Sequence, residues 1–169
     1  MDNWEAETLN ISGIVDDSIV DGPGLRYTIF VQGCPHGCPE CHNPQTHSFE
    51  ENKRVTLGQL MSEIKENPLL YGVTFSGGEP FCQPGPLAIL GQQIKKAGMH
   101  LMCYSGYTYE TDLAEGGAVH TEDTDEMLSY IDVLVDGEFV EAERDLTLQF
   151  RGSRNQRILQ LHPRQDVPV

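Results

Sequence analysis

Short apolar runs alternate with helical patterns along this chain, and no other feature restricts the fold as strongly. Runs rich in β-branched and aromatic residues predict four buried strands, at Arg26–Gly33, Tyr71–Phe75, Met99–Tyr104 and Ile131–Val135. Parallel neighbours need long crossover connections, usually helices. The alternation therefore predicts right-handed βαβ units and a parallel sheet.

The segments between these strands carry helical signals. Apolar residues at i, i+3, i+4 and i+7 predict a helix from Leu57 to Ile64 with Thr56 as its N-cap, and a second from Leu87 to Ala97 that Gly98 ends. A short helical stretch covers residues 125–130, and residues 11–15 form a possible further strand. Because so few strands cannot close an eight-stranded barrel, we expect an α/β fold, an open, partial βα barrel with a parallel sheet.

Size and charge limit the classes of function. The 169 residues predict a single domain over 1–169, and 11 basic against 26 acidic residues give a formal net charge of −15. This charge argues against a nonspecific nucleic-acid binder. No apolar run approaches the roughly 20 residues of a membrane span, and the acidic N-terminus does not resemble a signal peptide. We therefore expect a cytoplasmic protein that contacts neither nucleic acid nor membrane.

Unusual sequences follow each of the four predicted strands. They read GCPHGCPECHNP, SGGEP, SGYT and DGEF in chain order. Parallel strands end at a common edge of the sheet, and α/β enzymes carry their sites there. We therefore expect these four segments to meet in one site.

Three cysteines stand in the spacing C-x3-C-x2-C, at Cys34, Cys38 and Cys41. Thiolates this close repel one another unless a metal holds them. A four-iron cluster normally has four cysteine ligands, so three would leave one iron open. The alternative is a zinc site with His36 or His42 as fourth ligand, in an interaction module without catalysis.

The two other cysteines carry no ligand spacing. In a reducing compartment disulfides are not expected. We interpret Cys82 and Cys103 as small core residues. We therefore expect the metal-binding residues to lie in one segment, residues 33–44, which we call the cysteine loop.

The second motif is the SGGEP segment. Gly77 and Gly78 allow close approach of the backbone to a ligand, and Glu79 offers a carboxylate to a cationic group. After the third strand, Ser105 is placed for a similar contact. A simple turn is the alternative in both places.

These residues carry a family resemblance. The cysteine motif after the first strand and the later SGGEP resemble the radical S-adenosylmethionine superfamily, and DGPGLRYTIFVQGCPHGCPECHN is similar to glycyl-radical-enzyme activases. The ending, IDVLVDGEFV and RDLTLQFRGSRNQRI, resembles the activating proteins of anaerobic ribonucleoside-triphosphate reductases. The likeness spans about residues 14–158.

The resemblance implies a [4Fe–4S] cluster on the three cysteines and S-adenosyl-L-methionine on the open iron. Cleavage of that cofactor would give a 5′-deoxyadenosyl radical, which generates a glycyl radical on the large subunit of the reductase. Reduced flavodoxin or a similar donor would supply the electron. The residues that we expect to contact S-adenosylmethionine are Glu40, Cys41, His42, Gly77, Gly78, Glu79 and Ser105.

Two alternatives within the resemblance concern the substrate: an activase of pyruvate formate-lyase type, or an enzyme acting on a small molecule. The sequence also departs from the superfamily at one place. Members often have an aromatic residue before the third cysteine, where this chain has Glu40, whereas His42 and Asn43 match the Cys-His-Asn run of the activases. A backbone contact to the adenine survives this change, but a stacking contact does not.

An arginine-rich run near the C-terminus reads FRGSRNQR, residues 150–157. Its guanidinium groups suit a carboxylate or phosphate. Docking on the reductase, or internal ion pairs with the acidic stretch that precedes it, would use the same residues. The segment Asp136-Gly137 also has more than one interpretation. It is either a contact to a ligand or a partner protein, or a simple turn.

Overall fold

A computed structural model describes residues 3–38, 41 and 44–162. The strands are β1 (Thr8–Ser18), β2 (Arg26–Val31), β3 (Lys53–Thr56), β4 (Gly72–Gly77), β5 (His100–Tyr104), β6 (Val133–Asp136) and β7 (Arg157–Gln160). The α-helices are α1 (Leu57–Glu66), α2 (Pro84–Lys96) and α3 (Glu122–Tyr130), and a π-helical turn covers Tyr109–Leu113. Short 3-10 helices cover Trp4–Ala6, Pro44–Thr46, Pro80–Cys82 and Glu141–Glu143.

All seven strands form one open sheet in the order β3-β1-β2-β4-β5-β6-β7. The four central strands, β2, β4, β5 and β6, run parallel, and they are the four that the sequence predicts. The α/β fold with an open sheet and a parallel centre is thus confirmed. Antiparallel strands flank this centre: β1 beside β2, β3 beside β1, and β7 beside β6.

Helix α1 begins where its local signals place it, whereas α2 begins at Pro84, three residues before the predicted Leu87, and α3 begins at Glu122, before the predicted stretch 125–130. The Thr56 side chain accepts a hydrogen bond from the Gln59 amide at 3.2 Å, which caps α1 as predicted. Beyond the end of α2, Gly98 has φ +78°, a left-handed conformation that glycine adopts at little cost. The buried residues of α1 are Leu57, Leu60, Met61 and Ile64, again as predicted.

The two faces of the sheet are covered differently. On β5, Leu101 and Cys103 belong to the main core beneath the helices. Met102, between them, points to the other face and packs in a smaller cluster with Val133 and Val135. In the part of the chain that the structure describes, no α-helix covers this second face, and the cavity described below opens on it. Among the described residues, no helix has the length and apolar character of a bilayer span.

A buried arginine ties the segment between β1 and β2 to the sheet. Arg26 is fully buried, and its guanidinium donates to the carbonyls of Pro23 (2.7 Å) and Val73 (2.8 Å). The Thr74 hydroxyl accepts from Arg26 Nε at 2.6 Å and donates to the Asp21 carbonyl at 2.8 Å. Burial lowers the pKa of Arg26 to about 10. The segment that contains Ile19, Val20 and Asp21 is thereby held where these three residues line the cavity.

Candidate functional site

A cavity of about 650 Å³ opens at the carboxyl ends of the parallel strands. Each of the four post-strand segments contributes to its lining, through Cys34, Gly78, Gly106 and Gly137 among others. The expectation that these segments meet in one place is therefore confirmed. The volume lies within the range of small-molecule sites.

The cysteine loop forms one side of this cavity. Cys34, Cys38 and Cys41 all line it. The loop is fastened at its start, where the Gly33 amide donates to the Thr46 carbonyl at 2.6 Å and the Cys34 amide donates to the His47 carbonyl at 3.2 Å. All five cysteines of the chain lie in the described residues, and none is in a disulfide.

The surroundings of Cys34 and Cys38 favour their protonated thiols in the absence of a metal. Burial raises the pKa of Cys34 to about 11, with the charge of Glu79 adding to it. Burial also raises the pKa of Cys38, and the charge of Glu138 acts in the same direction. Binding of a metal would have to displace these protons, which makes affinity dependent on pH.

The donor set fits an iron–sulfur cluster by chemistry and by position. Three thiols of one loop face one cavity, and cysteine thiolates are the ligands that such clusters prefer. No group of three His, Cys, Asp or Glu side chains within the described residues is gathered tightly enough to hold a single metal ion. Glu40, His42 and Asn43, which belong to the predictions for this loop, lie outside the described residues.

The glycines of the SGGEP loop allow that loop to pack against the cysteine loop. A Cβ at Gly78 would lie 2.3 Å from the Gly33 carbonyl oxygen, and Gly77 has φ +98°. The Glu79 amide donates to the same Gly33 carbonyl at 2.7 Å. Gly77 and Gly78 also line the cavity, so they face both the neighbouring loop and any ligand.

The carboxylate of Glu79 is fully buried and accepts four hydrogen bonds. Its Oε1 accepts from His36 Nε2 and from the Gly106 amide, each at 2.7 Å. Its Oε2 accepts from the Ser105 hydroxyl at 2.9 Å and from the Phe81 amide at 3.0 Å. Glu79 thus joins three of the loops at the edge of the sheet. Its contact with a cationic ligand stays a prediction.

His36 connects the cysteine loop to the rest of the site, a role that the sequence analysis missed. Its Nε2 lies 2.7 Å from Glu79 Oε1, and its Nδ1 lies 3.1 Å from Glu138 Oε1. Its ring meets that of Tyr107 edge-on, with 4.6 Å between centroids. Burial lowers the pKa of His36, but the two carboxylates outweigh it and the net shift is upward. With both nitrogens engaged, His36 is not available as a zinc ligand.

Ser105 and Gly106 line the cavity after β5. The Ser105 hydroxyl donates to Glu79 and accepts from the Tyr107 amide at 3.0 Å. A Cβ at Gly106 would lie 2.5 Å from the His36 ring. The backbone therefore turns closely around the histidine, and a contact of Ser105 with the cofactor stays a prediction.

The two remaining cysteines differ from each other. Cys103 is fully buried in β5, as predicted. The prediction for Cys82 was wrong, because this residue is exposed. In the short 3-10 helix Pro80–Cys82, Phe81 supplies the buried apolar side chain and turns Cys82 outward.

The chain after β6 supplies a wall of the cavity that sequence analysis did not assign. Leu148, Phe150, Arg151 and Gln156 line it. The arginine-rich run, residues 150–157, is the sequence feature that marks this segment. Asp136 is buried and paired, whereas the neighbouring Gly137 lines the cavity with φ +100°.

Comparison with known proteins places the chain among iron–sulfur proteins. A family model described as a 4Fe-4S single cluster domain matches residues 20–159. The anaerobic ribonucleoside-triphosphate reductase-activating protein of Vibrio cholerae is 35% identical over 148 residues, which cover 82% of this chain and 89% of that protein. A pyruvate formate-lyase-activating enzyme of Staphylococcus aureus is 44% identical over 87 residues, but these are 48% of this chain and 35% of that enzyme.

The crystal structure of QueE from Escherichia coli resembles this fold with a TM-score of 0.51, covering 76% of this chain and 70% of that one. At 16% identity the likeness concerns the fold alone. The family model and the Vibrio relative each extend over most of the chain. The chain belongs to the 4Fe-4S single cluster domain family and, within it, to the anaerobic ribonucleoside-triphosphate reductase-activating proteins.

Proposed function

We propose that this chain is a radical S-adenosylmethionine enzyme that generates a glycyl radical on anaerobic ribonucleoside-triphosphate reductase. The observation that carries the proposal is the shared cavity. Three cysteine thiols and the glycines of the SGGEP loop line it together, in a chain of the reductase-activating family. The substrate would be a glycine on the large glycyl-radical subunit.

Cys34, Cys38 and Cys41 would hold the [4Fe–4S] cluster and leave one iron open to S-adenosylmethionine. When bound, the cluster supplies the electron that cleaves the cofactor to methionine and the 5′-deoxyadenosyl radical. His36 holds the cysteine loop against Glu79 and Glu138, which orients the ligands. No acid or base side chain is required of the protein.

The chain's own residues would position S-adenosylmethionine. Gly77, Gly78 and Ser105 line the cavity beside the cysteine loop, within reach of a ligand bound there. The other predicted contacts are Glu40, Cys41, His42 and Glu79. Apolar side chains such as Phe30, Leu148 and Phe150 line the same cavity and would exclude water from a reactive radical.

An external donor must reduce the cluster, and we propose reduced flavodoxin or a protein of similar chemistry. The net charge of −15 supports protein partners rather than nucleic acid. A reducing cytoplasm is the compartment that keeps the cluster thiols available.

Electron paramagnetic resonance of the anaerobically reconstituted, dithionite-reduced protein tests the proposal. We expect a [4Fe–4S]⁺ signal that changes shape when S-adenosylmethionine is added. A silent spectrum, from protein that takes up zinc and no iron, would contradict the enzyme assignment. It would favour a zinc-stabilised interaction module without catalysis.

The identity of the partner needs a separate experiment. The reduced enzyme is incubated with S-adenosylmethionine and either the reductase or pyruvate formate-lyase, and the glycyl radical is measured. We expect the radical on the reductase. A radical on pyruvate formate-lyase alone would favour the alternative, which the shorter similarity to the Staphylococcus aureus enzyme supports.

A further inference from the structure

The arginines of residues 150–157 have three different environments. Arg157 forms a bidentate ion pair with buried Asp136 and also donates to both carboxylate oxygens of Glu110, at 3.1 and 2.7 Å. Arg154 is exposed, and its backbone amide bonds to the Glu143 carbonyl at 2.9 Å. Arg151 instead lines the cavity. The run is therefore partly structural, and one of its guanidinium groups faces the site.

The guanidinium of Arg151 is incompletely satisfied. Its Nη1 donates to the Gln156 carbonyl at 2.8 Å. Its Nε is buried and has no hydrogen-bond partner within the described part of the chain. No carboxylate of the described residues lies within 4.0 Å of this guanidinium. A buried donor left without a partner is costly, and such groups are typical of places where a ligand completes the bonding.

The backbone beside Arg151 is held in an unusual conformation. Phe150 has φ +63°, and it is the one non-glycine residue of the described chain with positive φ. The Gln156 side chain fixes the turn that follows, because its Oε1 accepts from the amides of Gly152 (2.8 Å) and Ser153 (3.1 Å). Strain of this kind persists where the surroundings overdetermine it, and it clusters at functional sites. The turn holds Arg151 at the cavity.

Arg151 also differs from the other basic side chain that lines the cavity. Among the described lining residues, the other basic side chain is that of His36, and both of its ring nitrogens are hydrogen-bonded to carboxylates. The cavity thus presents one guanidinium that forms no ion pair within 4.0 Å among the described residues, although its charge helps to lower the pKa of the more distant Asp145. A guanidinium fork matches the two oxygens of a carboxylate.

We propose that Arg151 binds the carboxylate of the methionine half of S-adenosylmethionine. The inference rests on the proposed function, which brings this ligand into the cavity. The ligand is zwitterionic in that half, with an ammonium and a carboxylate on one carbon. The glycine loop offers backbone carbonyls to the ammonium, and the guanidinium of Arg151, which forms no ion pair among the described residues, receives the carboxylate.

Equilibrium binding tests this assignment on the anaerobically reconstituted protein. The probes are S-adenosylmethionine and its decarboxylated analogue, S-adenosyl-3-(methylthio)propylamine, which keeps the ammonium and the sulfonium. We expect Arg151→Ala to weaken binding of S-adenosylmethionine about 10- to 100-fold, the effect of one lost charge-assisted hydrogen-bonded pair. The same variant should bind the analogue as the wild type does.

Two further variants make the experiment specific. Arg151→Lys should recover part of the affinity, because lysine keeps the charge and loses the fork. Arg154→Ala, at the exposed arginine of the same loop, should bind both probes as the wild type does. Iron content and circular dichroism establish that each variant is folded and loaded.

Equal losses for both probes in Arg151→Ala would overturn the proposal, since the residue would then act only on the shape of the loop. Unchanged binding of S-adenosylmethionine would overturn it too, and would leave the partner protein as the source of the anion. If Arg151→Ala does not fold, the affinities of the wild-type protein for the two probes still test the proposal. Equal affinities would overturn it, because they would exclude any site for the carboxylate. If the wild-type protein binds neither probe, the proposed function itself is contradicted. This result differs from those that contradict only the role of Arg151.

Discussion

His36 Nε2 lies 2.7 Å from Glu79 Oε1, and this hydrogen bond joins the cysteine loop to the SGGEP loop across 43 positions of sequence. The same carboxylate oxygen accepts from the Gly106 amide after β5. Three loops from three strand ends therefore meet at one buried acid. The site depends on this junction before any ligand arrives.

Replacing Glu79 by glutamine should loosen the junction. Glu79→Gln puts an amide NH₂ where an oxygen now accepts hydrogen bonds, so that donors such as His36 or the Gly106 amide lose their acceptor. We expect the free energy of unfolding of the metal-free protein to fall by about 2–3 kcal/mol, as measured by urea denaturation. Glu138→Gln removes the negative charge of the half-exposed partner of His36 and should cost less than about 1 kcal/mol. Equal effects of the two variants would contradict the role given to Glu79.

Loss of one cluster ligand should abolish the cluster and leave the fold intact. Cys38→Ala removes a thiol from the cavity without touching the main core. We expect iron after anaerobic reconstitution to fall from about four atoms per chain to well below one. Cys82→Ala, at the exposed cysteine outside the loop, should load like the wild type. Full iron content and activity in Cys38→Ala would refute the ligand assignment.

Gly78→Ala tests whether the two loops need close backbone contact. The added Cβ would lie 2.3 Å from the Gly33 carbonyl oxygen, which belongs to the backbone and cannot rotate away. We expect a loss of about 1–3 kcal/mol in the free energy of unfolding, together with poorer iron loading. Gly13→Ala, in β1 with no atom within 4 Å of the new Cβ, should change stability by less than about 0.5 kcal/mol. A Gly78→Ala variant as stable as Gly13→Ala would show that the contact is unimportant.

Arg157→Ala should destabilise the end of the sheet. It leaves the carboxylate of Asp136 buried without its cation, although the Tyr109 amide still donates to it at 2.9 Å. Because the arginine side chain is 43% exposed, we discount the cost of a fully buried pair and expect about 1–2 kcal/mol. Thermal unfolding of the metal-free variant measures this. Arg154→Ala is the matched control, and a loss of the same size there would indicate a general effect of charge.

The central strands and the helices were predictable because their signals are local. Apolar spacing, a threonine cap and a terminating glycine lie within a few residues of the elements that they determine, as at Thr56 and Gly98. The edge strands β3 and β7 were not predicted, since most of their residues are exposed or half-buried and they lack the continuous buried apolar run that marks β6. The first strand was expected at residues 11–15, and it extends over Thr8–Ser18 and runs antiparallel to β2.

The parts of the candidate site that lie in segments directly after the parallel strands were predictable from the sequence. The cysteine loop, the two glycines and Ser105 line one cavity as that rule implies. The wall formed by Leu148, Phe150 and Arg151 was missed, because no strand-end rule applies to a segment that returns before an antiparallel edge strand.

By itself the sequence determined the order of the four central strands and the helices between them, the spacing of the three cysteines and the edge of the sheet where the site lies, since each depends on neighbouring residues. The tertiary structure decided how the charges are used. It paired Arg157 with Asp136, joined buried Glu79 to His36 and left Arg151 at the cavity without an ion pair among the described residues. These partners are distant in sequence, and their pairing follows from the way the loops close over the ends of the strands.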